Sequence, residues 1–160
     1  MSTETTTATT RETAENGLLV GGIAGLVGTI AFGALQMVMG MEGVIAGAIP
    51  ALYTLGPSLT LGWVIHLFHG AVLGVSFAAL VSATGLRRYA DSTLAMLGLG
   101  AVYGVVTTIA LAWLLMPVWL QAVGFPMAPP FPNVGMASLV GHLVYGVVLA
   151  AAYVVLRPRL

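Results

Sequence analysis

The side chains best suited to chemistry in this sequence are three histidines, His66, His69 and His142, because each lies within a long apolar segment. Ionisable side chains in such segments are costly to bury and therefore mark functional candidates. His66 and His69 are three residues apart, so they share one face of a helix. Imidazole ligates haem iron and transition metals, and it exchanges protons near neutral pH.

An internal repeat at a spacing of 76 residues relates two of these histidines. The shift aligns three informative pairs: His66 with His142, Gly70 with Gly146, and Pro50 with Pro126. In the same register, His69 corresponds to Tyr145. We predict a duplicated helical hairpin, whose two copies are related by a pseudo-twofold axis along the membrane normal. This arrangement predicts equal depth for His66 and His142.

Three roles are open to these histidines. In the first, they are neutral groups that stabilise the packing through hydrogen bonds between helices, with Ser138, Thr29, Gln36 or a backbone carbonyl as the partner. In the second, His66 and His142 are the axial ligands of a b-type haem. In the third, His66, His69 and His142 form a metal or proton site, together with Tyr145.

The composition places these residues in a membrane protein. The chain has 160 residues, of which 59% are hydrophobic and only 6% are charged, with no net charge. Soluble domains carry roughly 25% charged residues. The composition excludes a soluble globular domain, a disordered chain and a nucleic-acid-binding protein. The absence of cysteine excludes disulfides, iron–sulfur clusters and thiolate nucleophiles.

Four apolar runs are each long enough to cross a bilayer as a helix. They extend over residues 18–41, 59–83, 94–116 and 135–156, and every charged residue lies outside them. Because a helix satisfies its own backbone hydrogen bonds, we predict an all-α membrane protein with four transmembrane helices, arranged as two duplicated hairpins.

The segments between the runs complete the predicted organisation. We predict a disordered Thr/Glu-rich tail at 1–16, a first hairpin at 17–83 with an outer connection at 43–58, a cytoplasmic loop at 84–93, and a second hairpin at 94–156 with a Pro-rich outer connection at 117–134. Both outer connections are unusually apolar. We interpret them as segments that lie in the membrane interface or dip into the bundle. If they have a function, we expect them to form a lid over a cavity.

The arginines predict the orientation of the chain. All five lie in the tail, in the second connection or at the C-terminus: Arg11, Arg87, Arg88, Arg157 and Arg159. Positive residues concentrate on the cytoplasmic side of membrane proteins. We therefore expect both termini to be cytoplasmic, in a chain that crosses the cell membrane several times.

Glycine spacing and the missing motifs define the expected partners and activity. Small residues recur at helical spacing, as in Gly70 and Gly74 or Gly100 and Gly104, which allows close helix packing within the chain or in a homo- or hetero-oligomer. The partner expected in every case is the lipid bilayer.

No phosphate-binding loop, nucleophile elbow or zinc-protease motif occurs, so we do not expect an enzyme.

Three stretches carry a resemblance to a known group of proteins. GWVIHLFHGAVLG at 62–74, SLVGHLVYGVVLA at 138–150 and GGIAGLVGTIAFGALQM at 21–37 resemble small multi-pass membrane proteins of halophilic archaea. Some of these carry a histidine-kinase label, but this chain has no kinase motif. The resemblance implies the four-helix architecture and assigns no site residue.

These observations favour a membrane protein without a conventional catalytic centre, acting as an accessory or helix-packing subunit. Two alternatives remain open at this stage. One is an electron-transfer protein that binds haem b through His66 and His142, and the other is a small oligomeric conduit or transporter. A visible absorption spectrum separates the haem protein from the others, since haem absorbs strongly.

Overall fold

A computed structural model describes the backbone of residues 2–83 and 85–157 and the side chains of residues 16–83 and 85–157. This part of the chain contains helices and no strand, and four of the helices are long and apolar enough to cross a membrane. The predicted all-α, four-helix class is therefore confirmed. The tail predicted at 1–16 lies outside the residues whose side chains are described, apart from Asn16.

The described chain contains five helices, α1 to α5, and one short 3-10 helix. Their bounds are α1 at Ser2–Val38, α2 at Val44–Ala48 in π geometry continuing as Ile49–Ala51, α3 at Leu59–Ala83, α4 at Thr93–Ala122, and α5 at Met136–Leu156. The part of α1 that can span a membrane is Asn16–Val38. A short 3-10 helix, Gly85–Tyr89, connects α3 to α4.

The third spanning helix is longer than the apolar run predicts. The run ends at Met116, whereas α4 continues through Pro117 to Ala122. Proline has no N–H, so it leaves a carbonyl of the preceding turn without its helical partner. Here the backbone N–H of Asn133 donates to the carbonyl of Trp113 at 2.9 Å. This bond compensates for the proline and ties the second outer connection to α4.

Glycine contacts bring the helices of each hairpin together. A Cβ atom added to Gly25 on α1 would collide with the backbone of Gly70 and Gly74 on α3. A Cβ atom on Gly100 of α4 would collide in the same way with Gly146 of α5. The absence of side chains lets the backbones touch and gain dispersion contacts. The glycine-rich faces thus pack against helices of the same chain.

The two hairpins meet closely on one side of the bundle and more loosely on the other. On the close side α1 packs against α5, where a Cβ on Gly28 would lie 2.8 Å from the carbonyl oxygen of Tyr145. On the other side, α3 and α4 are bridged by large side chains. The hydroxyl of Tyr103 donates to the carbonyl of Leu73 at 2.8 Å, and its ring contacts Phe77. We call this second side the α3–α4 seam.

The bundle divides along its length into two halves with different packing. The terminal half comprises residues 16–27, 74–83, 93–104 and 146–156, and the connection half comprises 28–73 and 105–145. Most of the buried apolar core lies in the terminal half, where Val20, Phe77, Met96 and Leu149 are at most 2% exposed. The connection half contains a large cavity instead.

Candidate functional site

The cavity in the connection half has a volume of about 870 Å³. Binding sites for small molecules typically have volumes of about 300–1,000 Å³. All four spanning helices and both outer connections contribute to its walls. The polar side chains that face it are Thr29, Gln36, Tyr53, His66, His69, Asn133, Ser138, His142 and Tyr145. The cavity therefore brings all three predicted histidines to one space.

The outer connections form one end of the cavity wall, which we call its cover, and the lid interpretation of their apolar composition stays a prediction. Met41, Val44 and Leu52 line it from the first connection, and Phe125 and Met127 line it from the second. The indole N–H of Trp119 donates to the carbonyl of Leu52 at 2.8 Å, which joins the end of α4 to the first connection. The cover thus consists of both connections held together.

Two polar side chains on the cavity wall are buried without a hydrogen bond. Gln36 on α1 is 5% exposed and His66 on α3 is 8% exposed. Within the described chain, neither Oε1 of Gln36 nor Nε2 of His66 has a hydrogen-bond partner. Leaving a buried polar group unpaired costs about 1–3 kcal/mol. Unpaired groups of this kind in a native structure require an explanation, and an absent ligand is one.

Phe32 lies against two of the imidazoles. Its ring centroid is 5.4 Å from that of His66 and 4.8 Å from that of His142. A Cβ on Gly141 would collide with the ring of Phe32, so this glycine makes room for it on α5. His66 of the first hairpin and His142 of the second therefore lie near each other, around one aromatic side chain of α1.

The hydrogen bond of His142 fixes which of its nitrogens carries the proton. Nδ1 lies 2.8 Å from the backbone carbonyl oxygen of Ser138, which can only accept. Nδ1 therefore carries the hydrogen, and Nε2 is left with the lone pair. The indole N–H of Trp113 donates to Oγ of Ser138, whose hydroxyl donates to the carbonyl of Gly135. These bonds hold the start of α5 in place beside the cavity.

His69 and Tyr145 have partners of their own. Nε2 of His69 lies 2.6 Å from the hydroxyl oxygen of Tyr53 in the first connection, and the two rings are stacked. The hydroxyl of Tyr145 donates to the carbonyl of Gly70 at 2.9 Å, deep between α5 and α3. His69 therefore links α3 to the first outer connection, and Tyr145 links the second hairpin to the first.

The donor set does not have the arrangement of a metal site. Among the side chains of residues 16–83 and 85–157, no three histidine or carboxylate groups lie close enough to hold a metal ion. His69 instead bonds to Tyr53 in the first connection. The predicted three-histidine site is thus not assembled in this structure.

A haem held by His66 and His142 also fits the observed residues poorly. Phe32 packs against both imidazoles and occupies the neighbourhood in which a porphyrin ligated by both would lie. The cavity wall carries no arginine or lysine to pair with the haem propionates. Burial of an unpaired carboxylate is strongly unfavourable.

The wall that α4 contributes has an unusual backbone. Residues Thr108–Leu115 form a π-helix, and three of them, Leu111, Ala112 and Leu115, line the cavity. π-helical turns inside α-helices are rare and occur often at functional sites. The geometry begins where the hydroxyls of Thr107 and Thr108 both bond to the carbonyl of Gly104.

The cavity reaches the outer surface of the bundle at the α3–α4 seam. Phe68 and Val72 of α3 and Leu115 of α4 line the cavity, yet they are 57%, 47% and 54% exposed. Phe68 and Val72 are four residues apart and so form one stripe along the helix. In a bilayer this apolar opening faces lipid.

Sequence reasoning found the histidines and named Thr29, Gln36, Ser138 and Tyr145 as their candidate neighbours, but it did not find Phe32. Thr29, Phe32 and Gln36 lie at positions i, i+3 and i+7, which is the spacing of one helix face. This spacing indicates that the three side chains point in the same direction from α1. Which neighbour these side chains face depends on the glycine contacts of α1, which the spacing alone does not reveal.

Comparison with protein-family models, with curated proteins and with solved structures found no match. The resemblance to membrane proteins of halophilic archaea therefore stays a prediction, and so does the repeat at a spacing of 76. The functional argument rests on the cavity itself.

Proposed function

We propose that the protein is a multi-pass membrane protein that binds an uncharged, largely apolar molecule from the bilayer in the cavity of the connection half. It has no conventional catalytic centre and acts as an accessory or carrier subunit for this molecule. Both termini lie on the cytoplasmic side of the cell membrane, because all five arginines lie in the N-terminal tail, in the second connection or at the C-terminus.

One observation carries the proposal, namely that two residues lining a cavity of about 870 Å³, Gln36 and His66, each have a buried polar atom, Oε1 and Nε2, without a partner among the described residues. A chain that only needed helix packing would be more stable with apolar side chains at these positions. A bound molecule that supplies the missing hydrogen bonds removes the penalty. The rest of the wall is mostly apolar, as is typical of ligand pockets.

The charges of the wall define the class of molecule. Among the side chains that the structure describes, no Asp, Glu, Lys or Arg lines the cavity. A charged ligand would lose its hydration without gaining an ion pair, which is costly in an apolar environment. The opening at the α3–α4 seam connects the cavity with the lipid phase, where uncharged apolar molecules are concentrated.

The same observations favour binding over the two alternatives. Phe32 and the missing cationic side chains disfavour haem b at His66 and His142. A conduit needs a path through both halves of the bundle, but the terminal half is closed by side chains such as Val20 and Met96, which are at most 1% exposed. We infer that molecules enter and leave the cavity on the same side of the bundle.

Native mass spectrometry of the full chain released from membranes tests this function. We expect the wild-type protein to retain a molecule as an uncharged adduct, and Ala112→Phe to lose it, because Ala112 lines the cavity and the new ring fills the space. Ala110→Phe is the matched control, since Ala110 lies on the same π-helical segment but is exposed and does not line the cavity. Equal adducts in all three proteins would contradict the proposal.

A further inference from the structure

We propose that the polar end of the bound molecule is a hydroxyl group, so that the ligand is a lipid alcohol or phenol. This inference rests on the proposed function and adds the chemistry of recognition. It follows from the hydrogen-bonding capacity that the described residues leave unused around Phe32: an amide at Gln36 that accepts through Oε1 and donates through Nε2, an acceptor at His142, and a ring at His66 that both donates and accepts.

His142 presents an acceptor. Its Nδ1 donates to the carbonyl of Ser138, so the lone pair is on Nε2, the ring atom farther from the backbone of α5. His142 lines the cavity, and its ring touches Phe32. A ligand that approaches this imidazole therefore gains a hydrogen bond by donating one.

Gln36 presents a second acceptor. Gln36 lines the cavity, and its buried Oε1 atom has no partner in the described part of the chain. Gln36 lies four residues after Phe32, so it is on the same face of α1, one turn nearer the outer connections. The acceptors of Gln36 and His142 are thus arranged around the same aromatic side chain.

His66 completes the set. Its ring contacts Phe32 from α3, and its buried Nε2 has no partner. A neutral imidazole has one N–H and one lone pair, so it can donate to the ligand or accept from it. A hydroxyl group has one donor and two acceptor lone pairs. It can donate to Gln36 or His142 while it accepts from His66.

The neighbouring hydroxyls of the protein do not supply further donors. Thr29 donates to the carbonyl of Gly25. Tyr145 donates to the backbone of α3, and Ser138 to the backbone before α5. A ketone, an ester or an ether is acceptor-only, so it leaves the acceptors of Gln36 and His142 unpaired. Sites with buried polar groups discriminate strongly against ligands that leave those groups unpaired.

The apolar part of the ligand has a defined path. The wall beyond the polar groups is formed by side chains such as Leu73, Leu111 and Phe125. The opening at Phe68 and Leu115 lets a hydrocarbon chain extend through the α3–α4 seam into the bilayer. The ligand therefore has one hydroxyl end and a chain that is continuous with the lipid.

Photolabelling with two matched probes tests this inference. The probes are 1-octadecanol with a diazirine in its chain and the methyl ether of the same molecule, each added to the full protein in liposomes. Labelled peptides are quantified by mass spectrometry. We expect the alcohol to label the cavity wall about fivefold more than the ether, since a neutral hydrogen bond changes affinity by roughly two- to tenfold. Unlabelled 1-octadecanol competes with the alcohol probe.

Variants assign the difference to the acceptor on α1. Gln36→Leu should reduce the preference for the alcohol over the ether, with the remaining preference due to His142, while labelling by the ether stays unchanged and shows that the cavity is intact. Gln121→Leu is the matched control, because Gln121 is exposed, bonds to Pro129 and does not line the cavity. It should leave both probes unchanged.

The outcomes separate this inference from the function on which it rests. Equal labelling of the cavity by the alcohol and the ether overturns the hydroxyl inference and leaves the binding function standing. If neither probe labels the wall above the level found in Ala112→Phe, the cavity takes up no such molecule and both proposals fail. A Gln36→Leu protein that prefers the alcohol as strongly as the wild type overturns the assigned role of Gln36.

Discussion

The terminal and connection halves of the bundle use the same four helices for different purposes. In the terminal half, Phe77 packs edge-on against Tyr103 and Tyr153, and large apolar side chains fill the space between the helices. In the connection half the helices diverge around a cavity, and Gln36 and His66 are buried without partners. The packed apolar side chains of the terminal half stabilise the fold, so the connection half can contain unpaired polar groups that lower the free energy of unfolding.

The difference is produced mainly by where small and large residues lie on α3 and α4. Tyr103 of α4 reaches the backbone of α3 at Leu73 and closes the seam next to Phe77. Towards the connections, α4 changes to π geometry, and Leu111 and Leu115 line an open space. Three predictions break or sharpen this comparison.

The largest effect is expected from the same truncation made in each half. Phe77→Ala removes a 2%-exposed ring from the packed core and should lower the free energy of unfolding by about 3–5 kcal/mol. Phe68→Ala removes a 57%-exposed ring at the seam and should cost less than about 1 kcal/mol. Thermal and denaturant unfolding in the same detergent measure both. Equal losses would remove the contrast between the halves.

A smaller effect of opposite sign is expected at the cavity. Gln36→Leu removes a buried amide without a partner and should raise the free energy of unfolding of the ligand-free protein by about 1–2 kcal/mol. Gln121→Leu loses an exposed hydrogen bond to Pro129 and should be neutral or slightly destabilising. Denaturant midpoints of delipidated protein give the comparison. A destabilised Gln36→Leu protein would show that this amide already has a partner.

The fold follows from the sequence because hydropathy determines it. The run predicted at 59–83 has the same bounds as α3, Leu59–Ala83, since a bilayer-length apolar run has few alternatives to a spanning helix. The end of α4 was not predicted, because Pro117 normally stops a helix. The bond from Asn133 to the carbonyl of Trp113 compensates for it, and this contact joins residues that no local pattern connects.

The site follows from the sequence only in part. His66 and His142 stand out because imidazoles are rare in apolar runs. The neighbours of these imidazoles depend on how α1 is rotated about its axis. That rotation is determined by contacts of Gly25 with α3 and of Gly28 with α5. Helix propensity and hydropathy do not encode these contacts, so Gln36 could be named only as one of several candidate neighbours, and Phe32 was not placed beside the histidines.

The last prediction is an expected absence of signal, and it tests the cavity directly. We expect the protein, expressed with a supply of haem, to show no Soret band and no sharp band after reduction with dithionite, because Phe32 packs on both imidazoles and no cationic side chain lines the wall. A reduced band that disappears in His66→Ala and in His142→Ala would contradict this. Phe32 would then have to leave the two imidazoles, and the unpaired Nε2 of His66 would be an iron ligand. The hydroxyl inference would fall with it, because the lone pair of His142 would no longer be free to accept.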